Sequence, residues 1–257
     1  MACSAVIGRY TDRMTAPAPP VDTEFLLLIA DISGYTRFMM KNHTARVHAH
    51  GIISDLLAAV IKEVRTPLEV NKLEGDAMFM IAERRNEGWD AMVREIGARL
   101  EDFAAAFDRT LTELATSTIC DCIACQQMVT LRLKIIGHYG AAVRSKVAGF
   151  DEVSGVDVIV LHRLLKNGVS GSEYILLTEP AFRLLSPPGD YVVHHERYED
   201  VGDIPSRLRT LTASVPAAAP RTFSWKDMLR KLTYDVRYLL ARHKHPAEER
   251  PSPARPD

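Results

Sequence analysis

The sequence lacks the features that would assign it to a membrane or to nucleic acid. No segment reaches the roughly 18 consecutive apolar residues that a membrane-spanning helix requires. The formal net charge of −1 gives no overall attraction to nucleic acid, so no nucleic-acid partner is predicted. Residues 1–22 contain no long apolar run, which predicts a flexible leader and not a signal peptide. A cytoplasmic location is therefore expected.

Cysteine is scarce, with four in 257 residues, yet three of the four are clustered. Cys120, Cys122 and Cys125 have a spacing at which thiolates bind a soft metal such as zinc, or act as a redox site. A structural zinc site needs four ligands, and the nearest histidine in the sequence is His138, although a second protomer is another source. The alternative is that they are reduced cytosolic thiols with no special role, or form an occasional disulfide.

The composition, 47% hydrophobic and 25% charged, is sufficient for one enzyme-sized domain with additional segments. A linker of small residues and proline marks the end of that domain. Beyond it, a basic amphipathic helix is predicted to pack on the domain or a dimer partner, to contact another protein, or to lie peripherally on an anionic membrane. The predicted organisation is a leader (1–22), a main domain (23–212), a linker (213–222), the basic helix (223–245) and a disordered tail (246–257).

Hydrophobic periodicity predicts that helices and strands alternate along the main domain. Helices that connect successive strands in this way are typical of a central sheet covered by helices. The predicted elements are a strand at Phe25 to Asp31, a helix at about 35–65, a hairpin near 68–82, a helix from about Trp89 to Ala115, strands near 131–145, a helix at about 156–166, a strand at Tyr174 to Thr178, a short helix at Pro180 to Leu185, and strands near 191–211.

Two short segments each place an aspartate at the end of a hydrophobic strand. Asp31 precedes a small polar turn and the start of a helix, where backbone N–H groups can bind phosphate. Asp76 follows Gly75 at a tight turn between two strand-like segments, the tip of a hairpin. Two such carboxylates beside a phosphate site predict Mg²⁺ or Mn²⁺ bridging nucleotide phosphates. The alternative is that both are ordinary turn or helix-capping residues.

These two segments together resemble the catalytic domains of class III nucleotide cyclases, the adenylate and guanylate cyclases. The stretch from Asp31 to Phe38 is similar to their first metal-binding motif, Lys72 to Asp76 to the second, and Leu131 to Gly140 to their central strand. The resemblance covers residues 24–211 and implies an α+β, ferredoxin-like cyclase fold with a central, mainly antiparallel sheet covered by helices. The cysteine cluster with residues 162–167 resembles a divergent bacterial cyclase-like branch of unknown function.

The resemblance also implies which residues form the site. Asp31, Asp76 and the Ile32 carbonyl would hold two Mg²⁺ or Mn²⁺ ions. Lys72 and Glu152 would contact the purine, with ATP preferred and GTP left open. Arg163 would neutralise charge on the transferring phosphoryl group. The remaining implied nucleotide contacts are Ser33, Gly34, Tyr35, Thr36 and Phe38.

The third cyclase motif, matched by Glu152 to Arg163, contains one departure. Ile159 stands where cyclases have an asparagine that orients the ribose, and Asp157 is the nearest polar substitute. The resemblance implies a homodimer that converts ATP to cyclic AMP and pyrophosphate, with Lys72 and the aspartates from one chain and Glu152 and Arg163 from its partner. The alternative is a catalytically impaired nucleotide-binding regulatory module, so whether the protein is an enzyme stays open.

Overall fold

The computed structural model describes residues 21–42, 45–85, 88–117 and 122–212. Within these ranges a single mixed sheet is covered by helices. The strands are β1 (Val21–Ser33), β2 (Glu69–Glu74), β3 (Ala77–Glu83), β4 (Arg132–Val147), β5 (Phe150–Ser154), β6 (Tyr174–Thr178), β7 (Val192–Tyr198) and β8 (Gly202–Thr210). The helices are α1 (Tyr35–Lys41), α2 (Arg46–Ile61), α3 (Trp89–Ala98), α4 (Leu100–Ser117), α5 (Ile123–Gln127), α6 (Val156–Leu164) and α7 (Glu179–Leu185).

The sheet has the order β2-β3-β1-β4-β6-β8-β7, and β5 pairs with the far end of β4. β4 and β6 pair parallel, whereas the other neighbours are antiparallel. Successive residues of β1 alternate between the two faces of the sheet, because strand side chains have a period of two. Leu26, Leu28 and Ala30 pack against α1 to α4 and α7, and the intervening apolar residues pack against α6. The predicted α+β fold with a mainly antiparallel sheet is confirmed.

The two long predicted helices are each divided in the structure. The first ends at Lys41, where the buried Asn42 side chain donates from Nδ2 to the Phe38 carbonyl at 2.7 Å. The second is divided at Arg99, which leaves helical geometry with φ −111° and ψ 7° between α3 and α4. The division at Arg99 was missed because Ile96, Leu100 and Phe103 continue at helical spacing across it. The division after Lys41 falls in the polar stretch 41–44, which the prediction of one continuous helix ran through. β5 and α5 were not predicted either, since β5 buries only Val153 and α5 buries only Ala124, which leaves no apolar pattern to follow.

Several predicted segments lie outside the described residues. They are residues 1–20 of the leader, the linker, the basic helix and the tail. Among the helices at residues 35–185 that the structure describes, none is both long enough and apolar enough to cross a membrane.

Candidate functional site

The sheet brings Asp31 and Asp76 together, although 45 positions separate them in the sequence. Asp31 lies near the end of β1 and is in register with Ala77, the first residue of β3. Asp76 immediately precedes β3 in the hairpin turn, and its carbonyl accepts a hydrogen bond from the Ile32 N–H at 3.2 Å. Pairing of β1 with β3 therefore carries both side chains to the same end of the sheet.

The two carboxyl groups interact directly. The pKa of Asp76 is raised from 3.8 to about 6, mainly by burial and then by repulsion from the neighbouring Asp31 carboxylate, with a smaller contribution from a side-chain hydrogen bond to Asp31. A hydrogen bond from the backbone N–H of Asp76 and the charge of Lys134 act in the opposite direction. Carboxylates held this close repel each other as anions, and a divalent cation between them relieves that repulsion.

Lys134 is a member of this site that sequence reasoning missed. It lies on β4 directly opposite Asp31, and its Nζ is 2.9 Å from Asp31 Oδ2. The ion pair is largely buried, with 16% of the Lys134 side chain and 15% of the Asp31 side chain exposed. Lys134 Nζ also donates to the Leu165 carbonyl at 3.2 Å. Its neighbours Leu133 and Ile135 are apolar, so only the β1–β4 register reveals its contact with Asp31.

The turn after Asp31 has the geometry of a helix start. Gly34 adopts φ +89°, a left-handed conformation that glycine tolerates best, and α1 begins at the next residue. Thr36 is exposed, and Ser33 and Tyr35 are partly exposed. Phe38 differs from its predicted role, since its side chain is 2% exposed within the core and its N–H donates to the Gly34 carbonyl. Phe38 therefore anchors α1, and its side chain is not available to a nucleotide.

Lys72 and Glu152, the two residues predicted to contact the purine, contact each other within one chain. Lys72 Nζ is 3.4 Å from Glu152 Oε2 and 3.5 Å from Glu74 Oε1. The ammonium also lies 5.9 Å from the centre of the Phe79 ring, which the His162 ring contacts at 5.6 Å. Glu152 therefore already reaches Lys72 within one chain, and its contribution from a second protomer stays a prediction. β2 and β5 place the two side chains side by side within one protomer.

Arg163 forms its ion pair at a different place. Its guanidinium contacts Asp200 in the turn between β7 and β8, and both side chains are nearly half exposed. Exposed ion pairs contribute only about 0 to 1 kcal/mol. Arg163 therefore remains accessible to an anionic ligand that offers a stronger interaction.

The α6 helix carries Ile159 at the position where the cyclases that the sequence resembles have an asparagine. Ile159 is 51% exposed. Both carboxylate oxygens of Asp157 are engaged, because Oδ1 is 2.8 Å from His138 Nε2 and Oδ2 accepts from the Ala141 N–H at 2.7 Å. The contact is tight: a Cβ added to Gly140 would lie 2.2 Å from Asp157 Cγ. Asp157 thus fastens α6 to β4, and its role as a substitute for the asparagine stays a prediction.

His138 is buried and hydrogen-bonded. The side chain is 7% exposed, and its Nδ1 lies 2.9 Å from the Thr178 hydroxyl oxygen.

Of the cysteine cluster, Cys122 and Cys125 are described and partly buried, whereas Cys120 lies outside the described residues. The histidine near these thiols is His48 of α2 and not His138.

Comparison of the sequence with known proteins identifies relatives. A family model described as "Protein of unknown function (DUF2652)" matches residues 53–174. The uncharacterized protein Rv2561/Rv2562 of Mycobacterium tuberculosis is 31% identical over 176 residues, which cover 65% of this chain and 78% of that protein.

Solved structures with similar folds are nucleotide cyclase domains. The adenylyl cyclase CyaB from P. aeruginosa superimposes with a TM-score of 0.54 at 10% identity, covering 79% of this chain and all of that one. The guanylyl cyclase Cya2 gives 0.50 at 15% identity, covering 79% of this chain and 99% of that one. At these identities the similarity establishes the fold, and it confirms the resemblance to cyclase catalytic domains.

Proposed function

This chain belongs to the same family as the Mycobacterium tuberculosis protein Rv2561/Rv2562 and has a nucleotide cyclase fold, and on that premise we propose that it binds a purine nucleoside triphosphate with divalent metal ions and cyclises ATP. The products would be cyclic AMP and pyrophosphate. A bond forms between the ribose 3′ oxygen and the α-phosphorus, the bond from that phosphorus to the pyrophosphate oxygen breaks, and the hydroxyl proton passes to solvent.

The observation that carries this proposal is the contact between the Asp31 and Asp76 carboxylates. Their oxygens, with the carbonyl of the adjacent residue Ile32 as a further candidate, are the hard donors that Mg²⁺ and Mn²⁺ prefer. Burial and then repulsion from Asp31 raise the pKa of Asp76 even though the charge of Lys134 lowers it, so the ionised pair is unfavourable without a further cation. Bound metals would supply Lewis-acid polarisation of the phosphates and a lower pKa for the ribose hydroxyl.

The purine would bind over the partly exposed Lys72 and Glu152 pair. A lysine donates hydrogen bonds and a carboxylate accepts them, which suits the N1 acceptor and the amino group of adenine. The same pair suits the O6 acceptor and N1–H donor of guanine, so GTP is the competing substrate. In either case the base would replace the Lys72–Glu152 contact, which is partly exposed and therefore weak.

The proposed site is completed by a second copy of the chain. Four large apolar side chains lie exposed on the β4–β5 hairpin and on α6, and such patches mark interaction surfaces. They are Val147 at 59%, Phe150 at 77%, Val156 at 69% and Ile159 at 51% exposure. Pairing through this surface would place α6, which carries Arg163, at the boundary between two protomers. Sedimentation velocity should then show a dimer that Phe150→Glu dissociates.

The test of the proposed reaction is turnover of ATP by the purified protein with Mn²⁺ or Mg²⁺. Cyclic AMP and pyrophosphate should form in equal amounts, and Asp76→Ala should abolish both. Asp22→Ala is the matched control, because it removes an exposed carboxylate from the other end of β1. Equal turnover by wild type and Asp76→Ala would reject the proposed site, and a parallel GTP reaction determines the preferred base.

A regulatory nucleotide-binding module is the second candidate, and three observations favour it. Ile159 offers no amide, Asp157 is engaged by His138 and Ala141, and Lys134 already supplies one positive charge to Asp31. Loss of one preorganised transition-state donor slows such reactions by about 10² to 10³. Metal-dependent nucleotide binding with no product above the Asp76→Ala level would establish this candidate.

A further inference from the structure

Three potential metal ligands converge away from the aspartate pair. His48 of α2 lies 74 residues before Cys122, and its Nδ1 is 3.4 Å from Cys122 Sγ. Cys122 Sγ is 3.5 Å from Cys125 Sγ, and the three ligand atoms all lie within 4.8 Å of one another. A soft nitrogen and sulfur donor set of this kind favours zinc over magnesium or calcium.

The distances fit ligands arranged around a common ion. Tetrahedral zinc, with bonds of about 2.3 Å to sulfur and about 2.0 to 2.1 Å to nitrogen, places two sulfurs about 3.8 Å apart and a sulfur and a nitrogen about 3.6 Å apart. The observed 3.5 Å and 3.4 Å separations are close to these values. A disulfide requires about 2.05 Å between the sulfurs, so the two thiols are not joined as they stand.

The position of the cluster within the fold favours a structural metal. α5 packs against α1 and α2, and it leads through the turn at Met128–Thr130 into β4. Both cysteines are partly buried against the core, where two thiolates without a cation would be unfavourable. With a neutral imidazole, two thiolates and Zn²⁺ form an uncharged unit, and the fourth position is left for water or another donor.

We propose that His48, Cys122 and Cys125 form a zinc site that fastens α5, and with it the start of β4, to α2. The site is independent of the proposed nucleotide chemistry. It acts on the same scaffold, however, because β4 carries Lys134 to Asp31.

The test begins with untagged protein purified without chelator. Mass spectrometry of the metals should find one zinc per chain, and removal of that zinc should lower the melting temperature. In metal-free protein, Co²⁺ should give the sulfur-to-cobalt charge-transfer and ligand-field absorption of a tetrahedral thiolate site, and added Zn²⁺ should remove it. Neither signal depends on nucleotide turnover, and both should persist in Asp76→Ala.

Variants separate this site from adventitious binding. Cys122→Ser and Cys125→Ser should each weaken zinc binding by at least about 100-fold. Loss of a residue that only hydrogen-bonds to a metal ligand already lowers metal affinity by about 10- to 100-fold. His48→Cys should retain zinc, and His50→Asn, an exposed position on the same helix, is the matched control. Circular dichroism confirms that each variant is folded.

Three results would overturn the proposal. One is a folded wild-type protein that contains no zinc and takes up none. Another is zinc content unchanged in both cysteine variants. The third is a Cys122–Cys125 disulfide, formed reversibly by an oxidant in protein that never binds metal, which would indicate a redox pair instead.

Discussion

Exchanging Asp76 for asparagine is expected to make the metal-free protein more stable while removing its affinity for divalent metal. The amide is nearly isosteric and can still accept the backbone hydrogen bond, but it carries no charge into a partly buried position beside Asp31. A pKa raised from 3.8 to about 6 corresponds to at most about 3 kcal/mol of destabilisation by the ionised form. Because solvent reaches Asp76, we expect a gain of about 1 kcal/mol.

The stability gain of Asp76→Asn over the wild type should increase as the pH rises. The pKa of Asp76 is higher in the folded chain than in the unfolded chain, so the folded state binds a proton more strongly between these values. Stability from the protonated carboxyl group is fully present below about pH 4 and is lost as the pH rises through about 6. Asp76→Asn has no carboxyl group to ionise at this position. Its stability advantage over the wild type should therefore be absent near pH 4 and complete by pH 7.5.

Urea unfolding in chelator-containing buffer measures the gain, with both proteins compared at each pH. Asp22→Asn is the control, since an exposed substitution should change stability by less than about 0.5 kcal/mol. Mn²⁺ should then raise the melting temperature of the wild type but not of Asp76→Asn. An Asp76→Asn protein no more stable than wild type at pH 7.5 would refute the argument that burial and the neighbouring Asp31 make the ionised Asp76 unfavourable. One that Mn²⁺ still stabilises would refute the assignment of Asp76 as a metal ligand.

Three further predictions concern the same site. Ile159→Asn should increase cyclic AMP formation by about 10²-fold if the amide is the missing donor; an unchanged rate in a folded variant would exclude that role. Lys134→Met should destabilise the protein by about 3 kcal/mol in urea unfolding, because it leaves Asp31 buried without its cation. The same variant should bind Mn²⁺ about tenfold more tightly in calorimetry, because the positive charge beside Asp31 is removed. Mn²⁺ affinity should fall below pH 6 as protons compete for Asp76, and a flat profile from pH 7.5 to 5 would contradict this.

The sequence was sufficient to predict the convergence of Asp31 and Asp76. A buried strand that ends in aspartate and a hairpin with Gly-Asp at its tip are local patterns, and the resemblance to nucleotide cyclases, not a local pattern, indicated that the two aspartates lie together. The strand at Tyr174 to Thr178 was predicted with its observed limits, because all five of its residues are apolar or β-favouring and buried.

Contacts that depend on strand register or helix packing could not be predicted. Lys134 reaches Asp31 only because β4 pairs with β1 in one particular register, and a shift of one residue would point it to the other face. His48 reaches Cys122 through the packing of α2 against α5, which no local pattern encodes. The pairing of Lys72 with Glu152 in one chain likewise depends on how β4 carries β5 toward β2.

The most direct test of the proposed function is anomalous diffraction from crystals grown with Mn²⁺ and a non-hydrolysable ATP analogue. We predict manganese peaks within coordination distance of the Asp31 and Asp76 carboxylates, with Lys134 displaced from its 2.9 Å contact with Asp31. A bound nucleotide with Lys134 still paired to Asp31, and with no manganese at either aspartate, would contradict the account.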